Sequence, residues 1–166
     1  EEEIVARARV AMERIENETV RLIIRDRLEI RTCAVALRRR HRGEPAPAPA
    51  TVWGYGRWVS HIVRNWNETT FRLDGVFPWL READNLLKEG DTMALQRLIL
   101  EQVWKNLSRH AGEHQFDFEA VVIYVLQWDI VDRWIRRDRE AAAKRFEEMT
   151  DAGLGHYADL FEGGQS

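Results

Sequence analysis

The chain has 166 residues, of which 45% are hydrophobic and 32% charged, with a formal net charge of -3. One folded domain with a core of its own fits that length, and global disorder does not. The slightly acidic balance argues against nucleic acid as a direct partner. Within the basic set, twenty-two arginines stand against three lysines, and seven tryptophans accompany them. Arg and Trp are both enriched at protein interfaces, although Arg in place of Lys is also the mark of GC-rich coding. The single cysteine, Cys33, can form no internal disulfide, which suits a reducing compartment. The longest strongly apolar stretch, Ala120 to Leu126, is far shorter than the roughly 20 residues of a membrane span. The first residue is Glu1, so the chain is expected to lack an upstream region.

From Glu1 to Arg42 there is neither Gly nor Pro, and Ile4, Ala8, Met12, Ile15, Thr19, Leu22, Ile30, Cys33 and Leu37 recur at helical spacing. This predicts a long helical segment over 1–42, standing as a stalk or as one arm of a hairpin. Asp26 falls where a hydrophobe is due, which implies either a break between two helices or a partner for its carboxylate. Residues 43–51 follow as a stiff Pro/Ala-rich linker, because Pro45, Pro47 and Pro49 fix φ at every second position.

A helical bundle is expected over 52–150. Tyr55, Trp58, Val59, Ile62 and Trp66 share the spacing of one aromatic helix face, and Asn67 to Gly75 reads as a loop that turns at Asp74-Gly75. Pro78 suits the first turn of the next helix, which Gly90 ends. Asp91 then caps a helix carrying Leu95, Leu98, Ile99, Val103 and Leu107, closed by Gly112. Asp117 opens the last long helix, and Asp138 is placed to cap a short one through Met149. Residues 151–166 read as a tail. The fold class is all-α: a long N-terminal helix plus a helical bundle.

The chemistry-bearing residues yield no catalytic, cofactor or metal site. His110 and His114 are four apart, but Gly112 between them removes the shared helix face, and a third ligand is not evident. Gly54-x-Gly56 before Arg57 lacks the preceding strand and third glycine of a phosphate loop. Ser60 and His61 are adjacent, so on a helix they point about 100° apart. Two interaction candidates remain. Arg38, Arg39, Arg40 and Arg42 end the first segment as a dense basic cluster, fit either to cap the helix dipole or to dock an acidic partner or phosphate. Trp53 and Tyr55, with Trp58 and Trp66, are either core or an exposed aromatic anchor.

Several stretches resemble a bacterial family of uncharacterised proteins associated with the V/A-type ATPase. They are Arg27-Leu28-Glu29-Ile30-Arg31-Thr32 with Ala36-Leu37-Arg38-Arg39-Arg40, Val52-Trp53-Gly54-Tyr55-Gly56-Arg57-Trp58-Val59, and Phe118-Glu119-Ala120-Val121-Val122-Ile123-Tyr124 with Trp128-Asp129-Ile130 and Arg133-Trp134. The resemblance implies a non-catalytic part of a rotary ATPase, similar to its C-type socket protein, that joins the central stalk to the membrane ring. It further implies a cytoplasmic chain at the inner face of the membrane, attached through protein partners without insertion and using no cofactor. It identifies no functional residue. Two other readings stand beside it: a free-standing helical adaptor, and a ligand-binding or enzymatic bundle using His110, His114 and nearby acids.

Overall fold

The computed structural model describes residues 2–48 and 51–136. Their regular structure is entirely helical: α1 Glu2–Arg14, α2 Glu18–His41, α3 Val59–Arg64, α4 Leu80–Glu89 and α5 Thr92–Ala111, then α6 from 118 through 136. The expected helix at Asp138 and the tail lie outside the described residues. The chain divides into two compact units, Glu1–Leu126 and Gln127–Ser166.

In the first unit α2 is the central element, touching α1, α3, α4 and α5, while α4 packs on α5. It is therefore part of the bundle rather than a stalk standing off it. A helix surrounded in this way must bury most of its circumference. Accordingly Ile23, Ile30 and Leu37 on one side and Thr32, Cys33, Ala34 and Ala36 on others are all buried, the small residues admitting close neighbours. Burial pushes the Cys33 thiol up to about 12, with a smaller contribution from the nearby Glu29 charge, so it is held as a thiol.

The long N-terminal helix does break, but at residues 15–17 rather than at Asp26. Asn17 adopts an extended conformation and its side chain accepts a hydrogen bond from the Val20 N–H, capping α2. Its amide also donates to Glu119 at the start of α6, 2.6 Å away. Asp26 takes the other course open to it: its carboxylate accepts from Asn106 of α5 at 3.1 Å.

Between α2 and α4 the chain is mostly irregular. Among the described residues there only Val59–Arg64 is helical, so Tyr55 and Trp66 leave the expected aromatic face, Tyr55 to the irregular chain before the helix and Trp66 to the turn after it. Phe71 and Arg72 have positive φ, 53° and 56°, yet Phe71 and Leu73 are among the most deeply buried side chains. Pro78 sits two residues before α4, and the helix ends at Gly90 in the left-handed conformation, φ 73°. Asp91 accepts from Ala94 N–H to cap α5, as its position before the apolar run implies. The second unit is described over 127–136, where Ile130 is buried and Arg133–Asp129 and Arg136–Asp132 pair one turn apart.

Gly56, at φ +106°, lies so close to α2 that an added Cβ would overlap Glu29 Cγ, while Gly75 has nothing within 4 Å of such an atom. Gly56→Ala is expected to lower the unfolding free energy by about 3 kcal/mol. Gly75→Ala should stay within about 0.5 kcal/mol of the parent in the same urea titration.

Candidate functional site

The basic cluster at the end of α2 is largely consumed by the fold. Arg40 keeps 17% of its side chain exposed, and one terminal nitrogen lies 2.7 Å from Asp84 of α4. Its guanidinium also donates to the backbone carbonyls of Glu68 and Thr69 and stacks 4.6 Å from the centre of the Phe71 ring. Lys88 meets the other Asp84 oxygen at 2.6 Å. Arg39 and Arg42 close on Glu44 at 2.7 and 2.6 Å. The hydrogen bond from Arg42, and then that from Arg39, hold the Glu44 carboxyl below its ordinary value. Arg38 is half-buried on the same helix.

The aromatic candidates are brought together as core and wall. Trp53 is 3% exposed and meets Trp66 edge to face at 6.1 Å. The Trp66 indole donates to the Glu44 carbonyl. Tyr55 is tied by its backbone: its N–H donates to the Thr32 hydroxyl at 2.9 Å, and its carbonyl lies 2.9 Å from the same oxygen. His61 reaches the Phe71 carbonyl at 3.0 Å and stands edge to face with Trp58, an anchoring role rather than that of a base for Ser60.

A cavity of about 220 Å³ opens beside α2, and sequence reasoning did not assemble it. Asp26 and Glu29 of α2, Arg57, Trp79, and Lys105 and Arg109 of α5 line it. Glu29 is 2% exposed. It accepts from the Arg57 backbone N–H at 3.1 Å, and the Arg57 side chain approaches to 3.3 Å. His110 comes within 3.9 Å of Asp26, while His114 lies beyond the end of α5. The signal for this site was available only in part: Asp26 and Glu29, then Lys105 and Arg109, have same-face helical spacing, but the pairing of the two faces is tertiary.

His114 instead joins Asp117 and Glu119, whose donor atoms lie within 4.8 Å of one another. Each is already engaged. His114 bonds to Asp117 at 2.7 Å, Asp117 caps α6 through Ala120 N–H, and Glu119 takes the Asn17 amide. These contacts serve the junction of α5, α6 and α2.

One surface is left open. Phe116, Phe118, Val121, Tyr124 and Val125 are exposed in the first unit, Phe118 by 64% and Tyr124 by 66%. Positions 118, 121 and 125 share one stripe of α6. Among the described residues no helix is long and apolar enough to cross a membrane.

These features define an all-α protein built around one enclosed helix, with a charged cavity and an open apolar stripe. Residues 12–153 match the model of a family described as a protein of unknown function, DUF2764. The chain belongs to that family. No curated protein and no solved structure matches it.

Arg40→Met should cost roughly 3 kcal/mol of stability in chemical denaturation, since it leaves Asp84 and two loop carbonyls short of their donor. Arg42→Met, at a pair more than half exposed on the arginine side, should cost under about 1 kcal/mol. The hydrogen bond to Asp117, with neighbouring acidic charge, raises the His114 pKa above 6.5, and the same bond lowers that of Asp117 below 3.8. The pair therefore stabilises the fold fully below 6.5 on the histidine side, and that contribution is lost as pH rises through the folded His114 value. On the carboxylate side it is present above 3.8 and lost as pH falls through the folded Asp117 value. An NMR titration of the His114 ring should place its midpoint above 6.5, and Asp117→Asn should lower that midpoint.

Proposed function

We propose that this chain is a non-catalytic coupling element of a V/A-type ATPase, resembling its C-type socket protein in joining the central stalk to the membrane ring. The observation that carries the docking role is the exposed stripe at the start of α6. Phe118, Val121, Tyr124 and Val125 present apolar area on a helix whose other side is anchored by the buried Ile123. An isolated exposed apolar residue needs no explanation, whereas a run of them on one helical stripe is what a protein partner covers. Each such side chain contributes on the order of 1.5–3 kcal/mol when fully buried by a partner.

The assignment to the rotary ATPase rests on the sequence resemblance. Within it, the contact moves from the one the basic cluster suggested. Arg40 serves the interior and Arg39 and Arg42 serve Glu44, so reversal of those charges would act first on folding. The α6 stripe is free of that objection because its residues already face outward. In this reading the protein works on the cytoplasmic side of the membrane and is held there through its partners.

Affinity purification of the full-length protein from gently solubilised membranes should recover the ATPase catalytic and stalk proteins in fixed ratio. Val121→Glu with Val125→Glu should reduce that recovery at least about tenfold, equivalent to about 1.4 kcal/mol, with the helical circular dichroism unchanged. Recovery of no ATPase component would overturn the assignment. Undiminished recovery by the double variant would overturn the stripe as the contact.

A further inference from the structure

The cavity beside α2 has a division of charge that the docking role does not use. Asp26 and Glu29, one helical turn apart on α2, place two carboxylates at its inner side, and Glu29 is almost completely buried. On its outer side Lys105 and Arg109, one turn apart on α5, are both exposed. Neither forms an ion pair among the described residues. Arg57 lies between the two levels: its Nε faces Glu29 at 3.3 Å while 59% of its side chain remains exposed. Trp79, 7% exposed, supplies an apolar wall.

Each simple charge type meets an obstacle here. An anion seated on Lys105 and Arg109 has two carboxylates beneath it, and a cation drawn to those carboxylates must pass three basic side chains. A ligand that carries an acid and an amine side by side meets both conditions. It places its acid on the rim, where the cations are hydrated, and its amine against acceptors that already lie in a low-dielectric setting. The Asp26 carboxylate receives the Asn106 amide on one oxygen and the Arg25 guanidinium, at 3.3 Å, on the other, and Glu29 receives a single backbone donor together with the Arg57 Nε. Carboxylates have about four acceptor positions each, so both have capacity for an ammonium donor. The volume, about 220 Å³, lies below the roughly 300–1,000 Å³ of sites for drug-sized ligands. That limits the occupant to amino-acid size, with a side chain suited to the Trp79 wall.

We propose that this cavity binds a free zwitterionic α-amino acid with an apolar or aromatic side chain, its ammonium on Asp26 and Glu29 and its carboxylate on Lys105 and Arg109. The site is independent of the α6 stripe, so it stands whether or not the chain docks on an ATPase.

The test is isothermal titration of the purified full chain with leucine, methionine and phenylalanine, and with two analogues of each: the amine lacking the carboxylate and the acid lacking the amine. At least one amino acid should bind at one per chain, and both of its analogues should bind at least tenfold more weakly. Lys105→Glu with Arg109→Glu, made on exposed positions and checked by circular dichroism, should weaken that amino acid by at least tenfold. Asp26→Asn should weaken it as well while sparing the acid analogue. The proposal fails if none of the amino acids binds. It fails equally if the acid analogue matches its parent, which would make this an anion site, or if the rim variant binds unchanged. Binding confined to peptides with a free C-terminus would overturn it in favour of a partner protein's terminal segment.

Discussion

The irregular stretch between α2 and α4 is held by the polar side chains of α2, and the remaining architecture follows from that constraint. Thirty-eight residues separate His41 from Leu80, and among those described only the six of α3 are helical. Such a segment has few repeating backbone bonds, so its polar groups must find partners elsewhere. Thr32 receives Tyr55, Glu29 receives Arg57, and Arg40 reaches the carbonyls of Glu68 and Thr69. Trp66 closes the same circuit by donating to Glu44 at the head of the Pro/Ala run. Gly54 and Gly56 belong to this arrangement: their missing Cβ atoms are what let the chain lie against Thr32 and Glu29.

This constraint explains why a dense arginine cluster is a poor guide to a docking surface. A cation at the end of a helix is favoured by the backbone dipole alone. At Arg40 the guanidinium also has a planar set of donors, which matches a carboxylate and two carbonyls at once in a way an ammonium does not. The residue that resembles a surface charge in sequence is thereby the joint between α2, the loop and α4. Its neighbours Arg39 and Arg42 act at shorter range, fixing the first residues after the helix through Glu44.

The all-helical class was legible, and so were the end of α4 and the starts of α5 and α6, because Gly90, Asp91 and Asp117 are local signals with local mechanisms. The break at Asn17 was not, since it lies in a run without Gly or Pro and its cap is reinforced by Glu119, a residue 102 positions away. Phe71 illustrates the same limit: it sits in a loop by composition, at positive φ, and is nevertheless core because Arg40 and Trp66 enclose it. The aromatic face expected from Tyr55 to Trp66 had the right residues at helical spacing, but Gly54 and Gly56 bind the chain to α2 before a helix can start. The cavity was hidden for a further reason. Its two halves are each an ordinary pair of charges on a helix, and only the packing of α2 on α5 makes them face a common space.

Glu29 joins these two sides of the molecule. Its Oε1 fixes the backbone at Arg57, yet the same carboxylate lies on the cavity wall. Truncation at this position would therefore confound loss of a ligand contact with loss of the loop's attachment, whereas Lys105 and Arg109 stand outside the loop's hydrogen-bond circuit. A ligand's ammonium on this carboxylate would share it with Arg57, which uses only part of its acceptor capacity. The cavity thus meets the fold at two carboxylates, Glu29 through the Arg57 backbone and Asp26 through Asn106 of α5, while the apolar stripe of α6 is anchored separately through Asn17, Asp117 and Glu119.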